Sequence, residues 1–268
     1  MDVLAIGYRN HSKRIIDILS KNKKISKVFV YIKNRSIYKK NTKKINYLYD
    51  LKNLEAIDCF FILSPADTHL YYIKKFLKYK KKIFCEKPAC VNSLEYKFLN
   101  NLNKKDKTKI YFNFNLRHSD FFKIFKKKIL EKKIGLPSYF YFKSTNGIVY
   151  KKKLRNNWRF KSNNIFHKIT GNVGVHYINF FLGLYPSTKK IEVIENNISN
   201  KGKDFAKIDL NYNSTYCTIL LSYAGPADYR IELNFTNGIL IFNNNLISLN
   251  APRNTFDKKN NFVNPPMK

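Results

Sequence analysis

Short apolar runs alternate with amphipathic segments in the N-terminal part of this chain of 268 residues, and this alternation constrains the fold more than any other feature. The first run, VLAIG at residues 3–7, precedes SKRIIDIL, in which Ile15, Ile16 and Leu19 fall on one helical face. Further apolar runs lie at residues 28–32, 57–63, 83–85 and 110–114. Because strands that alternate with helices form parallel sheets with right-handed crossovers, we predict a doubly wound nucleotide-binding domain.

The pattern changes after residue 114, where strands follow one another. A helix is predicted over about 120–132, and the segments SYFYFKS, YCTILLSYAG, YRIELNF and GILIFN then alternate apolar and polar residues. Successive strands joined by short turns indicate a largely antiparallel sheet. We therefore predict an α/β protein of two domains. Residues 1–116 form the doubly wound parallel domain, and residues 117–268 form an α+β domain with a mostly antiparallel open sheet.

The chain is strongly basic, with 51 Lys and Arg against 18 Asp and Glu and a formal charge of +33. Such a charge invites a nucleic-acid or anionic-membrane hypothesis. The lysines, however, are spread along the whole length together with many Asn, Ile, Tyr and Phe, all of which have AT-rich codons. Compositional drift explains the charge without a polyanionic partner, and no recognised nucleic-acid motif is present. We predict no nucleic-acid partner.

Cysteines and hydropathy bound the class of protein further. The four cysteines form no C-x-x-C pair and have no histidine at zinc spacing, so we expect reduced thiols and no metal site. No signal-peptide pattern opens the chain, and no apolar run is long enough to span a bilayer. We therefore expect a cytoplasmic protein without a membrane span.

The segment KIFCEKPACVN, residues 82–92, ends an apolar run in Glu86-Lys87-Pro88. Proline at a strand exit is common, because it fixes φ and cannot donate to a ladder. The end of a parallel strand is also where open α/β sheets gather ligand groups, so Lys87 could be a positioned catalytic group. The motif alone leaves both interpretations open.

The turn after the first strand is where a dinucleotide fingerprint is expected, since glycines there let the backbone approach a pyrophosphate. The sequence AIGYRNHSKRII has Gly7 in the first glycine position, Arg9 in the second and Ser12 in the third. The fingerprint is degraded. Arg9 introduces a Cβ where none is normally tolerated, although its guanidinium could itself contact phosphate oxygens.

Four segments together resemble the glucose-fructose oxidoreductase and inositol dehydrogenase family, Gfo/Idh/MocA. In order and at the family's spacing these are IGYRNHSKRIIDIL, IDCFFILSPADTHLYYIKKFLKYKKKIFCEKP, NFNLRHSDFFK and TGNVGVHYINFFLG. The resemblance runs from Val3 to about Gly183, and the E-K-P element with the downstream G-x-H helix makes it specific. It implies a Rossmann domain that binds NAD or NADP and a second domain whose open sheet often builds homodimers or homotetramers. The implied reaction is hydride transfer at a carbon of a sugar, cyclitol or nucleotide-linked sugar.

The resemblance also assigns site residues. Lys87 matches the family's active-site lysine and His176 its active-site histidine. Asn172 stands where the family commonly has Asp, as in some members that act on nucleotide-linked sugars of surface-polysaccharide pathways. Cofactor contacts are predicted at the turn after the first strand and at three later strand ends. These residues are Gly7, Arg9, Asn10, His11, Ser12, Lys33, Arg35, Ser64, Pro65, His69, Glu86 and Lys87.

These residue types suit the oxidation of a secondary alcohol. A base must accept the hydroxyl proton while the hydride leaves for the nicotinamide, and a histidine or a lysine with a lowered pKa can do this. Asn172 and His176 are four residues apart, so on an α-helix they share one face and can point at one substrate. We expect His176 to accept the proton, while Lys87 hydrogen-bonds the reacting oxygen and the nicotinamide side. Without the resemblance, a histidine on an apolar helix is more often a satisfied core residue.

The end of the second strand bears on the choice of cofactor. YIKNR lacks the acidic residue that usually holds the ribose hydroxyls of NAD. Lys33 and Arg35 could instead accept a 2′-phosphate, which favours NADP, although drift toward lysine would produce the same letters. The chain is also shorter than typical members of the family, so we expect a trimmed second domain.

Two classes of function follow. The first is an NAD(P)-dependent sugar or nucleotide-sugar dehydrogenase, in carbohydrate metabolism or surface-polysaccharide biosynthesis. The second is a family member that has lost hydride transfer and acts as a binding or assembly subunit, for which Arg9 and Asn172 are the sequence support. Lys87 and His176 favour the enzyme, because a pure scaffold has no reason to need both.

Overall fold

Two units make up the chain, Met1–Phe114 and Asn115–Lys268, which divide slightly before the boundary that we predicted after residue 116. The computed structural model describes residues 1–33, 40–131, 134–151, 168–188, 190–199, 202–243, 246–250 and 257–261.

A parallel sheet of six strands forms the first unit, in the order β3-β2-β1-β4-β5-β6. The strands are β1 Asp2–Ile6, β2 Lys27–Tyr31, β3 Ile45–Leu48, β4 Cys59–Ile62, β5 Lys82–Cys85 and β6 Ile110–Phe112. The helices are α1 Asn10–Lys21, α2 His69–Leu77, α3 Ser93–Asn101 and α4 Lys104–Lys107. The chain order of the strands reverses between β1 and β4. In open α/β sheets ligands bind at the carboxyl ends of the strands beside such a switch point.

Both faces of this sheet are covered, which explains why its strands are continuous apolar runs. Val3 and Ala5 of β1 pack on one face with Ile16 of α1. Leu4 and Ile6 pack on the other face in a cluster that includes Phe60, Ile73 and Phe76. The doubly wound parallel domain is therefore confirmed.

Strand β3 was not predicted from the sequence. Its residues INYL are only half-buried, and it lies at the edge of the sheet, paired with β2. A run of four residues with one apolar face gives a weak pattern next to the surrounding lysines and asparagines.

A second sheet, of seven strands, forms the second unit in the order β13-β12-β11-β7-β10-β9-β8. Its strands are β7 Pro137–Thr145, β8 Lys190–Asn196, β9 Phe205–Tyr212, β10 Thr215–Ser222, β11 Asp228–Phe235, β12 Gly238–Asn243 and β13 Leu246–Asn250. All neighbours are antiparallel except β7 and β10, which are parallel. The mostly antiparallel second sheet is therefore also confirmed.

Among the described residues of the second unit, two helices cover one face of its sheet. They are α5 Asp120–Glu131 and α6 Val175–Leu184, and a π-helix, Thr170–Gly174, leads directly into α6. Phe140 and Phe142 of β7 are fully buried and pack edge-on against Phe181 and Phe180 of α6. Burial of such aromatic side chains, each of which removes a large apolar area from water, holds the helices to the sheet.

Candidate active site

Gly7 forms the turn after β1 and adopts φ +108°, a conformation that side chains disfavour. A Cβ at this position would lie 2.9 Å from the carbonyl oxygen of Leu63 and 3.2 Å from the amide nitrogen of Ser64. Only glycine therefore lets the turn pass so close to the end of β4. This close approach brings the turn after β1 and the end of β4 together at the switch point of the sheet.

Arg9 immediately precedes α1 and has φ −98° and ψ 178°, an extended conformation open to any residue. Its carbonyl oxygen accepts the amide of Lys13 at 2.9 Å, its side chain makes no capping bond, and it is exposed. The first turn of α1, which includes Asn10, contains no acidic residue. The helix N-terminus and the guanidinium together present positive charge and donors, which suits an anionic group such as a pyrophosphate.

Ser12 lies inside the packing between α1 and the sheet. It is only 2% exposed, and its hydroxyl donates to the carbonyl oxygen of Leu63 at 2.9 Å. The third fingerprint position serves close packing of helix and strand. Here a small hydroxyl side chain fits, because its one donor is satisfied by the protein.

Glu86, just after β5, links three strand ends. One of its carboxylate oxygens lies 3.0 Å from Nε2 of His11, in the first turn of α1, and accepts Nδ2 of Asn113 at 2.8 Å. Its backbone amide donates to the carbonyl of Ile62 at 2.9 Å. The Glu86 side chain is 12% exposed and that of His11 48%, so the pair is partly screened by solvent. These bonds fix the backbone on which Lys87 follows.

Lys87 is half-buried and is joined to the buried Pro88 by a cis peptide bond. Because β5 ends at Cys85, Lys87 lies at the carboxyl end of this strand, as the strand-end interpretation and the catalytic interpretation both require. The sequence could place it after a strand but could not reveal its supports.

The segment after β4 forms a compact hydrogen-bonded turn. The hydroxyls of Ser64 and Thr68 are 2.6 Å apart, and the Thr68 hydroxyl also contacts the carbonyl of Pro65 at 2.7 Å. His69, 1% exposed, places Nδ1 2.9 Å from the carbonyl oxygen of Pro88 and Nε2 3.0 Å from that of Ser64. His69 thus connects the turn after β4 to the segment after β5.

Lys33 follows β2 and is exposed, while Arg35 lies outside the described residues. Tyr8, in the turn after β1, packs edge-on against Tyr47 of β3, and their hydroxyls lie 3.4 Å apart. Burial and the neighbouring Tyr8 hydroxyl raise the pKa of Tyr47 to about 12, so its hydroxyl stays protonated at neutral pH. Among the residues that the structure describes, no hydrogen bond connects Lys33 with the groups around Glu86 and His69.

Asn172 lies in the π-helix of the second unit. Its Nδ2 donates to the hydroxyl of Tyr223 at 2.8 Å. A Cβ on Gly174 would lie 2.9 Å from Ile208 and 3.0 Å from Leu221, so the helix presses closely on the sheet at this point. Single π-helical turns within α-helices occur frequently at functional sites.

His176 lies in the first turn of α6 and is half-buried. A π-helical turn is wider than an α-helical one, but residues four apart still lie close to one face of the helix. Asn172 and His176 belong to one continuous helical segment, and that they point at one substrate stays a prediction.

The sequence did not predict two contact partners of the candidate site residues. These are Asn113, which donates to Glu86, and Tyr223, whose hydroxyl accepts the amide of Asn172. Asn113 follows β6, and polar residues at the carboxyl ends of parallel strands deserve inspection for this reason. Tyr223 follows β10, more than fifty residues after Asn172, and no local pattern could connect them.

The cysteines and the helices of the described residues carry no second candidate site. All four cysteines are free thiols, and burial raises the pKa of Cys59 to about 11 and that of Cys85 well above its ordinary value. In the part of the chain that the structure describes, no group of His, Cys, Asp and Glu could hold a metal ion. None of the described helices is both long and apolar enough to cross a bilayer.

The fold and these strand-end residues define a Rossmann-type nucleotide-binding domain joined to an α/β domain with an open sheet. Residues 3–114 match the sequence profile of the oxidoreductase family GFO_IDH_MocA, which has an NAD-binding Rossmann fold. The first unit of the chain therefore resembles the NAD-binding domain of this family.

One curated relative is the protein YteT of Bacillus subtilis (strain 168), which is named as an oxidoreductase. It is 27% identical over 141 residues, a match that covers 51% of this chain but only 32% of the relative. The chain therefore matches about a third of that protein's length.

Two solved structures share the fold. An oxidoreductase from Agrobacterium radiobacter in complex with NAD+, L-tartaric acid and magnesium superposes with a TM-score of 0.75 at 14% identity, covering 94% of this chain and 77% of the other. A myo-inositol 2-dehydrogenase from Lactobacillus plantarum gives a TM-score of 0.73 at 15% identity, with coverage of 99% and 82%. At such identities the likeness is one of fold.

Proposed function

We propose that this protein is an NAD(P)-dependent dehydrogenase that transfers a hydride between a nicotinamide cofactor and a hydroxyl-bearing carbon of a sugar or nucleotide-linked sugar. The match of residues 3–114 to an oxidoreductase family with an NAD-binding fold supports the reaction class. The myo-inositol 2-dehydrogenase of the same fold supports a polyol-like substrate. A role in surface-polysaccharide biosynthesis would follow from a nucleotide-linked substrate.

The anchoring of Lys87 is the observation that carries this proposal. Its neighbour Glu86 is bonded to His11 from the first turn of α1 and to Asn113 from the end of β6. A solvated lysine without a function would need no such support, whereas a lysine that must meet a reacting oxygen needs a fixed backbone.

The residues around the first turn fit a dinucleotide. Gly7 brings the turn against β4, and the N-terminus of α1 with Arg9 offers donors and positive charge to a pyrophosphate. Lys33 is an exposed cation at the end of β2, where a 2′-phosphate would favour it, so we propose a preference for NADP. When bound, the cofactor supplies the nicotinamide that accepts or returns the hydride.

The protein's own residues handle the proton and the orientation of the substrate. His176 accepts the hydroxyl proton during oxidation and returns it during reduction. Lys87 hydrogen-bonds the reacting oxygen and so stabilises the negative charge that develops on it. Asn172, whose amide is held by Tyr223, contacts a neighbouring substrate hydroxyl.

Fluorescence titration of the purified protein with NADH and with NADPH tests the cofactor part of the proposal. We expect saturable binding of both, tighter for NADPH, and a weaker preference for NADPH in Lys33→Ala. Lys24→Ala, which removes an exposed lysine at the other end of the sheet, is the control and should leave both affinities unchanged. No binding of either cofactor would overturn the proposal and favour an assembly subunit.

A screen of nucleotide sugars and polyols with the preferred cofactor tests the chemistry. His176→Ala should lower kcat by about 10²-fold or more with little change in cofactor affinity. Unchanged turnover in this variant would remove His176 from the reaction.

We also propose that two or four copies associate through the face of the second sheet opposite α5 and α6. With a formal charge of +33, two copies repel each other unless the surfaces that meet are locally neutral. This face contains paired charges such as Lys143 with Asp228, 2.7 Å apart. Leu220→Lys on this face should yield monomers in light scattering, whereas Leu130→Lys, exposed on α5, should not. Monomeric wild-type protein would refute the association.

A further inference from the structure

We propose that His69 is a positioning residue, which fixes the segment containing Lys87 against the turn after β4 by donating from Nδ1 to the carbonyl of Pro88. The inference rests on the proposed function for its catalytic consequence, but the fixing itself does not depend on the reaction. It also changes the role expected for His69, from a contact of the cofactor to a support of the lysine.

The surroundings of the ring fit a support better than a ligand contact. His69 is 1% exposed, and its two ring nitrogens face the carbonyl oxygens of Pro88 and Ser64 at 2.9 and 3.0 Å. A carbonyl oxygen only accepts, so the bond to Pro88 requires a hydrogen on Nδ1. With both ring nitrogens directed at the protein, no ring donor remains for a bound molecule.

The helix that carries the ring of His69 is also held firmly in place. His69 is the first residue of α2, whose Tyr72, Ile73 and Phe76 are buried in the core on that face of the sheet. The helix cannot shift without opening this core. His69 therefore projects from a rigid element, which is what a positioning residue needs.

The two carbonyls belong to the two segments that matter for the site. Pro88 directly follows Lys87, and Ser64 lies beside Gly7, 3.2 Å from the place where a Cβ of Gly7 would stand. The imidazole thus sets the spacing between the first turn and the lysine. The segment that contains Lys87 is also supported at Glu86, through the contacts of this residue with His11 and Asn113.

Two substitutions separate the two bonds. Asn places its amide nitrogen at the same number of bonds from Cβ as Nδ1, so His69→Asn keeps a donor for Pro88. Gln places its amide nitrogen where Nε2 stands, so His69→Gln keeps a donor for Ser64 only. If His69 positions Lys87, kcat should fall about tenfold further in His69→Gln than in His69→Asn, at equal cofactor affinity. Equal losses in kcat, or a better His69→Gln, would overturn the proposal.

Amide hydrogen exchange tests the fixing without any turnover. The peptide covering residues 86–92 should exchange about tenfold faster in His69→Gln than in His69→Asn, while the peptide covering α2 should exchange alike in both. Equal exchange of residues 86–92 would refute the fixing. If the exchange differs but the wild type binds neither NADH nor NADPH, the positioning stands and the proposed function falls.

Nitrogen NMR on wild-type protein with labelled histidine keeps the proposal testable if both variants unfold. We expect the signal of His69 to show a slowly exchanging hydrogen on Nδ1 with a coupling across the bond to Pro88. A ring with hydrogen on Nε2 alone would refute the bond.

Discussion

Replacing Gly7 by alanine adds one methyl group between the turn after β1 and the end of β4. We expect this methyl group to disrupt that part of the sheet more than a methyl group added at any other position. The residue has φ +108°, which lies beyond the left-handed region that side chains tolerate. The new Cβ would stand 2.9 Å from the carbonyl oxygen and 3.1 Å from the carbonyl carbon of Leu63. Leu63 directly follows the central strand β4, its amide donates to the carbonyl of Ile6, and its carbonyl accepts the hydroxyl of Ser12, so these atoms cannot move aside cheaply.

The magnitude follows from two terms. A residue held in a sparsely populated backbone region costs of order 1–3 kcal/mol. Displacing packed backbone atoms by a few tenths of an ångström adds about 1 kcal/mol or more. We therefore expect Gly7→Ala to lose about 2–4 kcal/mol, a large share of the roughly 5–15 kcal/mol that stabilises a typical domain.

Hydrogen exchange on the full chain measures this loss where it occurs. Peptides that cover β1 and β4 should exchange roughly 30- to 900-fold faster in Gly7→Ala, which is the same range of free energy expressed as a rate. Gly147→Ala is the control, because Gly147 has φ −86° and a Cβ there would lie 3.5 Å from its nearest contact, the carbonyl oxygen of Gly225. Exchange in Gly7→Ala that stays within a factor of about 2 of wild type would refute the steric reasoning.

Three further predictions concern the protein's hydroxyl and thiol groups. Burial raises the pKa of Tyr185 from 10.0 to about 12, so the stability that its neutral hydroxyl contributes is complete below pH 10 and is lost as the pH rises toward 12. In urea unfolding, the free energy of unfolding of Tyr185→Phe should therefore fall less steeply at alkaline pH than that of the wild type. An identical fall would contradict this. Tyr223→Phe removes the acceptor of the Asn172 amide, and we expect about 1 kcal/mol of lost stability and a lower kcat at unchanged cofactor affinity, measured by unfolding and by kinetics. Cys59, with its pKa raised to about 11 by burial, should be alkylated by iodoacetamide at pH 8 roughly 100-fold more slowly than glutathione, and labelling at the glutathione rate would contradict the burial.

The fold could be predicted from the sequence where burial is two-sided or strictly alternating. β1 and β4 are continuous apolar runs because both faces of their sheet are covered, and β11 alternates because only one face packs on helices. β3 escaped prediction because four half-buried residues at an edge leave no such pattern. The π-helix was not predicted either, and the contacts that pack it on the sheet, those of Gly174 with Ile208 and Leu221, join residues that are distant in sequence.

The candidate site was predictable as a set of strand ends but not as a set of contacts. The position of Lys87 after a buried run follows from periodicity alone. Its supports do not, because His11 and Asn113 reach Glu86 from 75 and 27 residues away, and only the crossover topology brings them together. The bridge made by His69 likewise spans two segments, whose proximity depends on the pairing of β4 with β5.

The degraded fingerprint is explained by the different physical demands on its three positions. At position 7 the backbone at the end of β4 leaves no room for a Cβ, so the residue has to be glycine. Ser12 answers to the packing of α1 on the sheet, and a serine fits because the carbonyl of Leu63 accepts its hydroxyl hydrogen. Arg9 has an ordinary extended backbone, so neither the turn nor the core requires a glycine there. Only the approach of a bound pyrophosphate can make a glycine preferable at that position, and a guanidinium that binds the phosphate directly offsets this preference.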